Sequence, residues 1–224
     1  EEVDYKKSVH YLKILADKDH ADATYLLATL YGLHYYIDDN NYLSTKSRCD
    51  SIDTINQTSS PFKKCYWTPT DKQKQMANSA YFSLIDKAAK LGHTKALIQK
   101  SKDNPDCSIA VAALKQAAFK NGSIEAAMRL GIIYQSLMAG EYYSLQSALK
   151  MFSLVEKNVN QSTMSGVQLY HLAEQYTDSV KKILRDKHRT QANQALADTP
   201  SNNLPNNCQY EFNNIPSLNR LLES

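Results

Sequence analysis

The side chains in this chain best able to do chemistry are its four cysteines and six histidines. The cysteines are Cys49, Cys65, Cys107 and Cys208. No C-x-x-C occurs, and no histidine pair stands at zinc-finger spacing, so the cysteines do not read as a metal site. An even count fits disulfides formed in an oxidising compartment, in preference to four reduced thiols in a cytosolic protein. The expected pairs are Cys49 with Cys65 and Cys107 with Cys208. The first is local: sixteen residues separate the two positions, a loop whose closure is worth ~3 kcal/mol in the chain-entropy account. The second would staple a C-terminal tail to the middle of the chain. Sequence alone leaves the two other connectivities open.

The histidines, His10, His20, His34, His93, His171 and His188, are scattered. There is no H-E-x-x-H, no G-x-S-x-G and no phosphate-cradling glycine loop. The sequence therefore names no catalytic residue, no metal ligand and no cofactor. Asn56-Gln57-Thr58 and Asn160-Gln161-Ser162 match the glycosylation acceptor pattern, which matters only in a eukaryotic secretory setting.

The elements that must hold any site are best read between Ala110 and Tyr134. Ala110, Ala113, Leu114, Ala117 and Ala118 make one apolar stripe at helical spacing. Asn121-Gly122 ends that helix, because glycine accepts the positive φ of a helix C-terminus. Ser123 can cap the next helix, whose buried face carries Ala126, Leu130, Ile133 and Tyr134. A single hairpin of this kind cannot bury both of its faces, so it calls for copies. One runs from Ser8 to Tyr31, with Ala23, Leu27 and Ala28 matching Ala126, Leu130 and Gly131. Another starts at Tyr81, with Ala88, Ala89, Gly92 and Ala96 matching Ala117, Ala118, Gly122 and Ala126. A weaker copy starts at Ala148 and ends at Tyr176.

At these residues the chain resembles the Sel-1-like repeat family, α/α hairpins related to tetratricopeptide repeats. Asp86–Ala96 resembles the first half of the family pattern. Glu125–Tyr134 and His20–Tyr31 resemble the second half. About half of the chain is covered. The resemblance implies an all-α, right-handed solenoid of about four hairpins, used for protein–protein contact and common in secreted or envelope-associated bacterial proteins. It also implies that His20 and His93, beside the inter-helix turns, are structural. The third copy departs from the pattern, since Asn104-Pro105 arrives where its last tyrosine should stand.

The 224 residues are 42% hydrophobic and 22% charged, ordinary values for a globular chain. A repeat array of this length reads as one elongated domain over residues 1–200, with an extended tail over 201–224 packed on the body. A net charge of +3 is too small to argue for nucleic acid. No apolar run approaches the ~20 residues of a membrane span. The chain starts Glu1-Glu2 without methionine, so either a signal peptide or lipoprotein leader was removed or the chain was trimmed. The expectation is a monomer in the periplasm or outside the cell.

The repeat rhythm breaks at an insert over about 32–71. It holds Cys49, Cys65 and the aromatics Tyr35, Tyr36, Tyr42, Phe62, Tyr66 and Trp67. Pinned by a disulfide, it would lose little entropy on binding. Two readings of these aromatics stay open: they cover the open edge of the first hairpins, or Tyr35, Tyr36, Tyr42, Tyr66 and Trp67 are the partner contacts, which is the expectation taken here. Lys13, Lys87 and Lys115, outward on first helices, would assist association. A long basic helix near Gly166–Ala197 reads as the C-terminal cap.

By family analogy, the expected function is non-catalytic: an exported bacterial immunity protein that binds and neutralises a secreted toxin. The alternatives are an envelope adaptor or virulence factor binding host or cell-wall proteins, and an enzyme of β-lactam or peptidoglycan chemistry.

Overall fold

The computed structural model describes residues 5–33, 36–38, 41–42, 70–137, 139–193 and 208. Among them the chain is helical, apart from one short antiparallel ladder. Eight α-helices are described: α1 (Tyr5–Asp17), α2 (Ala21–Gly32), α3 (Asp71–Lys90), α4 (Thr94–Asp103), α5 (Cys107–Lys115), α6 (Ile124–Gln135), α7 (Leu145–Asn158) and α8 (Met164–Asn193). The ladder joins β1 (Tyr36–Asp38) to β2 (Asn41–Tyr42), with Tyr36 opposite Tyr42 and Asp38 opposite Asn41. The insert therefore holds some strand, which the all-α reading did not include. The chain divides into two compact units, Glu1–His93 and Thr94–Ser224.

In the first unit α1 packs on α2, and α2 on α3. Val9, Ala16 and Leu27 form the core cluster, with Leu12, Leu30, Tyr31 and Leu84 against it. Helix α3 begins at Thr70, whose hydroxyl accepts from the Gln73 amide while the Gln73 side chain bonds back to the Thr70 amide. This reciprocal pair satisfies two donors that the helix cannot bond itself. Thr70 is thus the cap, and Asp71 the first helical residue.

In the second unit α4 packs on α5, α5 on α6, α6 on α7 and α7 on α8. The expected stripe is buried: Ala110, Ala113, Leu114, Ala117, Ala118, Ala126, Leu130, Ile133 and Tyr134 all lie in the core. Helix α4 stops at Asp103, just before Asn104-Pro105, as the residue ahead of a proline disfavours helical backbone. Cys107 and Cys208 form a disulfide with their Cα atoms 5.0 Å apart, and the Cys208 amide donates to the Pro105 carbonyl. The Cys49–Cys65 pair lies outside the described residues.

The turns repeat one backbone device. Asp19, Gly92 and Gly122 occupy equivalent places and all have positive φ, at 59°, 88° and 68°. The residue after each closes the turn onto the preceding helix: His20 N–H to the Leu15 carbonyl, His93 N–H to Ala88, Ser123 N–H to Ala117. The third bond spans one residue more than the other two. The extra residue is absorbed where α5 ends, in a π-helical turn over Gln116–Lys120, the usual form of a one-residue insertion in a helix. Ala117 and Ala118 stay buried despite it.

Candidate functional site

A hollow able to receive another molecule lies in the first unit, on α2 and α3. Its described lining is Thr29, Gly32, Leu33, Asn78, Tyr81 and Phe82, around a volume of about 470 Å³. Local chemistry builds it. Thr29 and Leu33 lie one turn apart near the C-terminus of α2, and Asn78 and Phe82 one turn apart on α3. Between them Gly32 lets the Tyr81 ring lie directly on the α2 backbone. A β-carbon at Gly32 would stand 2.8 Å from the Tyr81 ring. Phe82 meets Tyr81 edge-on, with centroids 5.1 Å apart. The Thr29 hydroxyl donates to the Leu26 carbonyl at 2.7 Å, which leaves its methyl and the Asn78 amide to grade an otherwise apolar wall.

The rim is open. Leu33 is 62% exposed and Phe82 54%, values that matter because both are large apolar side chains, one capping the end of α2 and one on α3. Leu26, on the same face of α2 as Leu33, is also exposed. The insert departs at Leu33, and β1 packs against both α2 and α3. An apolar hollow edged by aromatics and marked by few polar groups is suited to taking a side chain or a small apolar group. Its described lining holds no Ser, Cys, His, Lys, Asp or Glu.

The sequence-predicted contact residues are placed unevenly. Tyr36 and Tyr42 are backbone register partners in the ladder. Tyr35, Tyr66 and Trp67 lie outside the described residues. Lys115 is exposed and Lys13 partly buried. Lys87 is engaged within the first unit. Its ammonium donates to the Ala16 carbonyl at 2.7 Å and pairs with Asp19 at 2.9 Å. It thereby joins α3 to the C-terminal end of α1, where bare carbonyls and the helix dipole favour a cation.

The histidines beside the turns are engaged in structure. His20 caps α2, its Nδ1 accepting from the Ala23 amide at 3.3 Å. His93 stacks on Tyr25, with centroids 4.3 Å apart, and its Nε2 stands 3.4 Å from Asp22. In the second unit Arg129 is buried and pairs with Glu125 at 2.9 Å. Burial raises the Tyr134 phenol above its ordinary value. Among the described residues no group of His, Cys, Asp or Glu is arranged to hold a metal, and no helix is long and apolar enough to cross a membrane.

Sequence reading did not find Leu33, Asn78 and Phe82. The available signal was apolar residues off the buried stripes, and singly such residues are common on surfaces. Only the approach of α2 to α3 gathers them. Compared with family models, curated proteins and solved structures, the chain has no match.

Proposed function

We propose that this chain is a non-catalytic protein-binding protein, exported by a bacterium and built as a Sel-1-like α/α solenoid. Its role on this reading is that of an immunity protein, holding a secreted toxin in an inactive complex. The observation that carries the binding role is the apolar hollow on α2 and α3, rimmed by Leu33 and Phe82 at the point where the insert leaves the helices. Exposed apolar clusters of this kind mark interaction sites, and a buried aromatic anchor is the usual centre of binding energy. The Cys107–Cys208 disulfide supports export, because such bonds persist in oxidising compartments. The choice of toxin as the partner rests on the family resemblance.

The test is affinity capture from the source organism, identification by mass spectrometry, and calorimetry with the purified partner. Phe82→Ala and Leu33→Ser should each weaken binding by about 2 kcal/mol. A stoichiometric amount of the chain should abolish the partner's toxic activity. Affinity untouched by both substitutions would overturn the site. A captured protein without toxic activity would overturn the immunity role.

A further inference from the structure

Helix α8 carries part of its charge in an ordered row. Glu174, Asp178, Lys181 and Arg185 follow one another at spacings of four, three and four residues, which sets each beside the next on a helix surface. All four are exposed. The apolar side of the helix is already used: Ala173, Thr177 and Val180 are buried, and Tyr176 stacks on Phe152 of α7. Among the described residues Asp178, Lys181 and Arg185 have no ion-pair partner. Glu174 meets the exposed ring of His171 at 3.4 Å. Lys187 donates to the Tyr143 hydroxyl at 3.4 Å and stands off the row.

The row reverses sign at its middle. Its first half is acidic and its second half basic. Both acid–base pairs, Glu174 with Arg185 and Asp178 with Lys181, are centred on one point, between Ser179 and Val180. A two-fold axis through that point, perpendicular to the helix, lays an identical row antiparallel on this one and sets each carboxylate against a cation. That is the condition for an isologous contact, in which residue i meets j and j meets i. A parallel copy would set like charge on like. A nucleic acid or an anionic membrane presents one sign of charge, which Glu174 and Asp178 would repel. Charge complementarity therefore selects a second copy of this chain. Exposed ion pairs are individually weak and are screened by salt, so the contact is reversible and the chain is monomeric when dilute.

We infer that the row from Glu174 to Arg185 on α8 is the contact surface of a salt-sensitive, antiparallel homodimer. The inference stands whether or not the hollow on α2 and α3 binds a toxin. The test is sedimentation equilibrium of the full chain, up to about 1 mM protein in about 10 mM salt, where the screening length reaches ~30 Å. A monomer–dimer equilibrium should appear there and weaken at least tenfold in about 0.5 M salt. Asp178→Lys and Lys181→Glu should each weaken it at least tenfold, since each sets like charges face to face. Both substitutions in one chain should restore the dimer. An equimolar mixture of the two single variants should restore it too, because every facing pair in the mixed dimer is again opposite in sign. Far-UV circular dichroism should be the same for all variants, as the positions are exposed. A monomer at every concentration, or a dimer indifferent to both single substitutions, would overturn the inference. Single variants rescued neither by the double variant nor by mixing would overturn it as well. So would saturable binding of heparin or of phosphatidylglycerol vesicles that Lys181→Glu abolishes, which would give the row to a polyanion or a membrane.

Discussion

Gly131 on α6 lies against the ring of Phe152 on α7 so closely that a β-carbon on the glycine would stand 2.6 Å from ring carbon Cε1. Phe152 is itself fully buried and stacks on Tyr176 of α8 with centroids 5.3 Å apart, so the ring has nowhere to retreat. Gly131→Ala sets two effects against each other. Alanine favours helix by about 1 kcal/mol, while overpacking costs about 1–3 kcal/mol. With the ring wedged on both sides, overpacking should win by about 1–2 kcal/mol in urea denaturation. Gly131→Ala combined with Phe152→Leu should recover part of the loss, as coupled neighbours do. An additive double variant would show that the two residues do not share this contact.

The π-helical turn over Gln116–Lys120 predicts an unusual tolerance. Deleting Lys120, which is exposed, restores the spacing found between Ala89 and Gly92. The turn should close as an ordinary α-helix, at a cost of no more than about 1 kcal/mol, while π-helical bonding is lost. Deleting Ala127 from the buried face of α6 should instead unfold the second unit, because every later side chain on that helix turns by about 100°. Thermal melts of the two deletions decide it. Equal damage would mean that the extra residue is not an insertion.

The Cys107–Cys208 disulfide closes a separation of 101 residues, and both cysteines are fully buried. Long loops gain most in the chain-entropy account, here about 4–5 kcal/mol as an upper figure. Cys107→Ser should destabilise the protein by about 2–4 kcal/mol. Alkylation of denatured, unreduced protein followed by peptide mapping should leave Cys107 and Cys208 unmodified. Recovery of either as an alkylated thiol would remove the bond, and with it the main physical support for export.

Burial holds the Tyr134 phenol above its ordinary value near 10. Below that pH both folded and unfolded chains keep the proton, and the residue adds no pH dependence. Above it the unfolded chain releases the proton while the folded chain retains it. The unfolded state then binds fewer protons, so stability falls as pH rises past about 10. Tyr134→Phe should flatten the alkaline end of a stability–pH curve and leave the curve near pH 7 parallel to the wild type. Identical alkaline slopes would show that the phenol titrates alike in both states.

What the sequence determined by itself is periodic and local. The stripe from Ala110 to Ala118 and the face Ala126, Leu130, Ile133 had to be buried, because helical spacing gathers them on one side whatever they meet. Gly92 and Gly122 had to end helices, because positive φ strains other residues. Ser123 had to cap, because its hydroxyl reaches the Ala126 amide only from that place. Asn104-Pro105 had to stop α4. The pairing of Cys107 with Cys208 was one of three readings that the sequence allowed, and only the fold of the second unit brought the two sulfurs together.

Other features were decided by tertiary structure alone. Asp19 takes the left-handed turn that glycine holds elsewhere, and its carboxylate meets Lys87 of α3. Lys87 thus reads as an outward cation along its own helix, yet it serves as a bond between helices. The hollow beside Leu33 and Phe82 exists only as a difference between covered and uncovered surface. Periodicity tells which residues share a side of a helix. It does not tell which sides find a cover, because that depends on neighbours distant in sequence and on the few ångströms that a residue such as Gly32 or Gly131 leaves free.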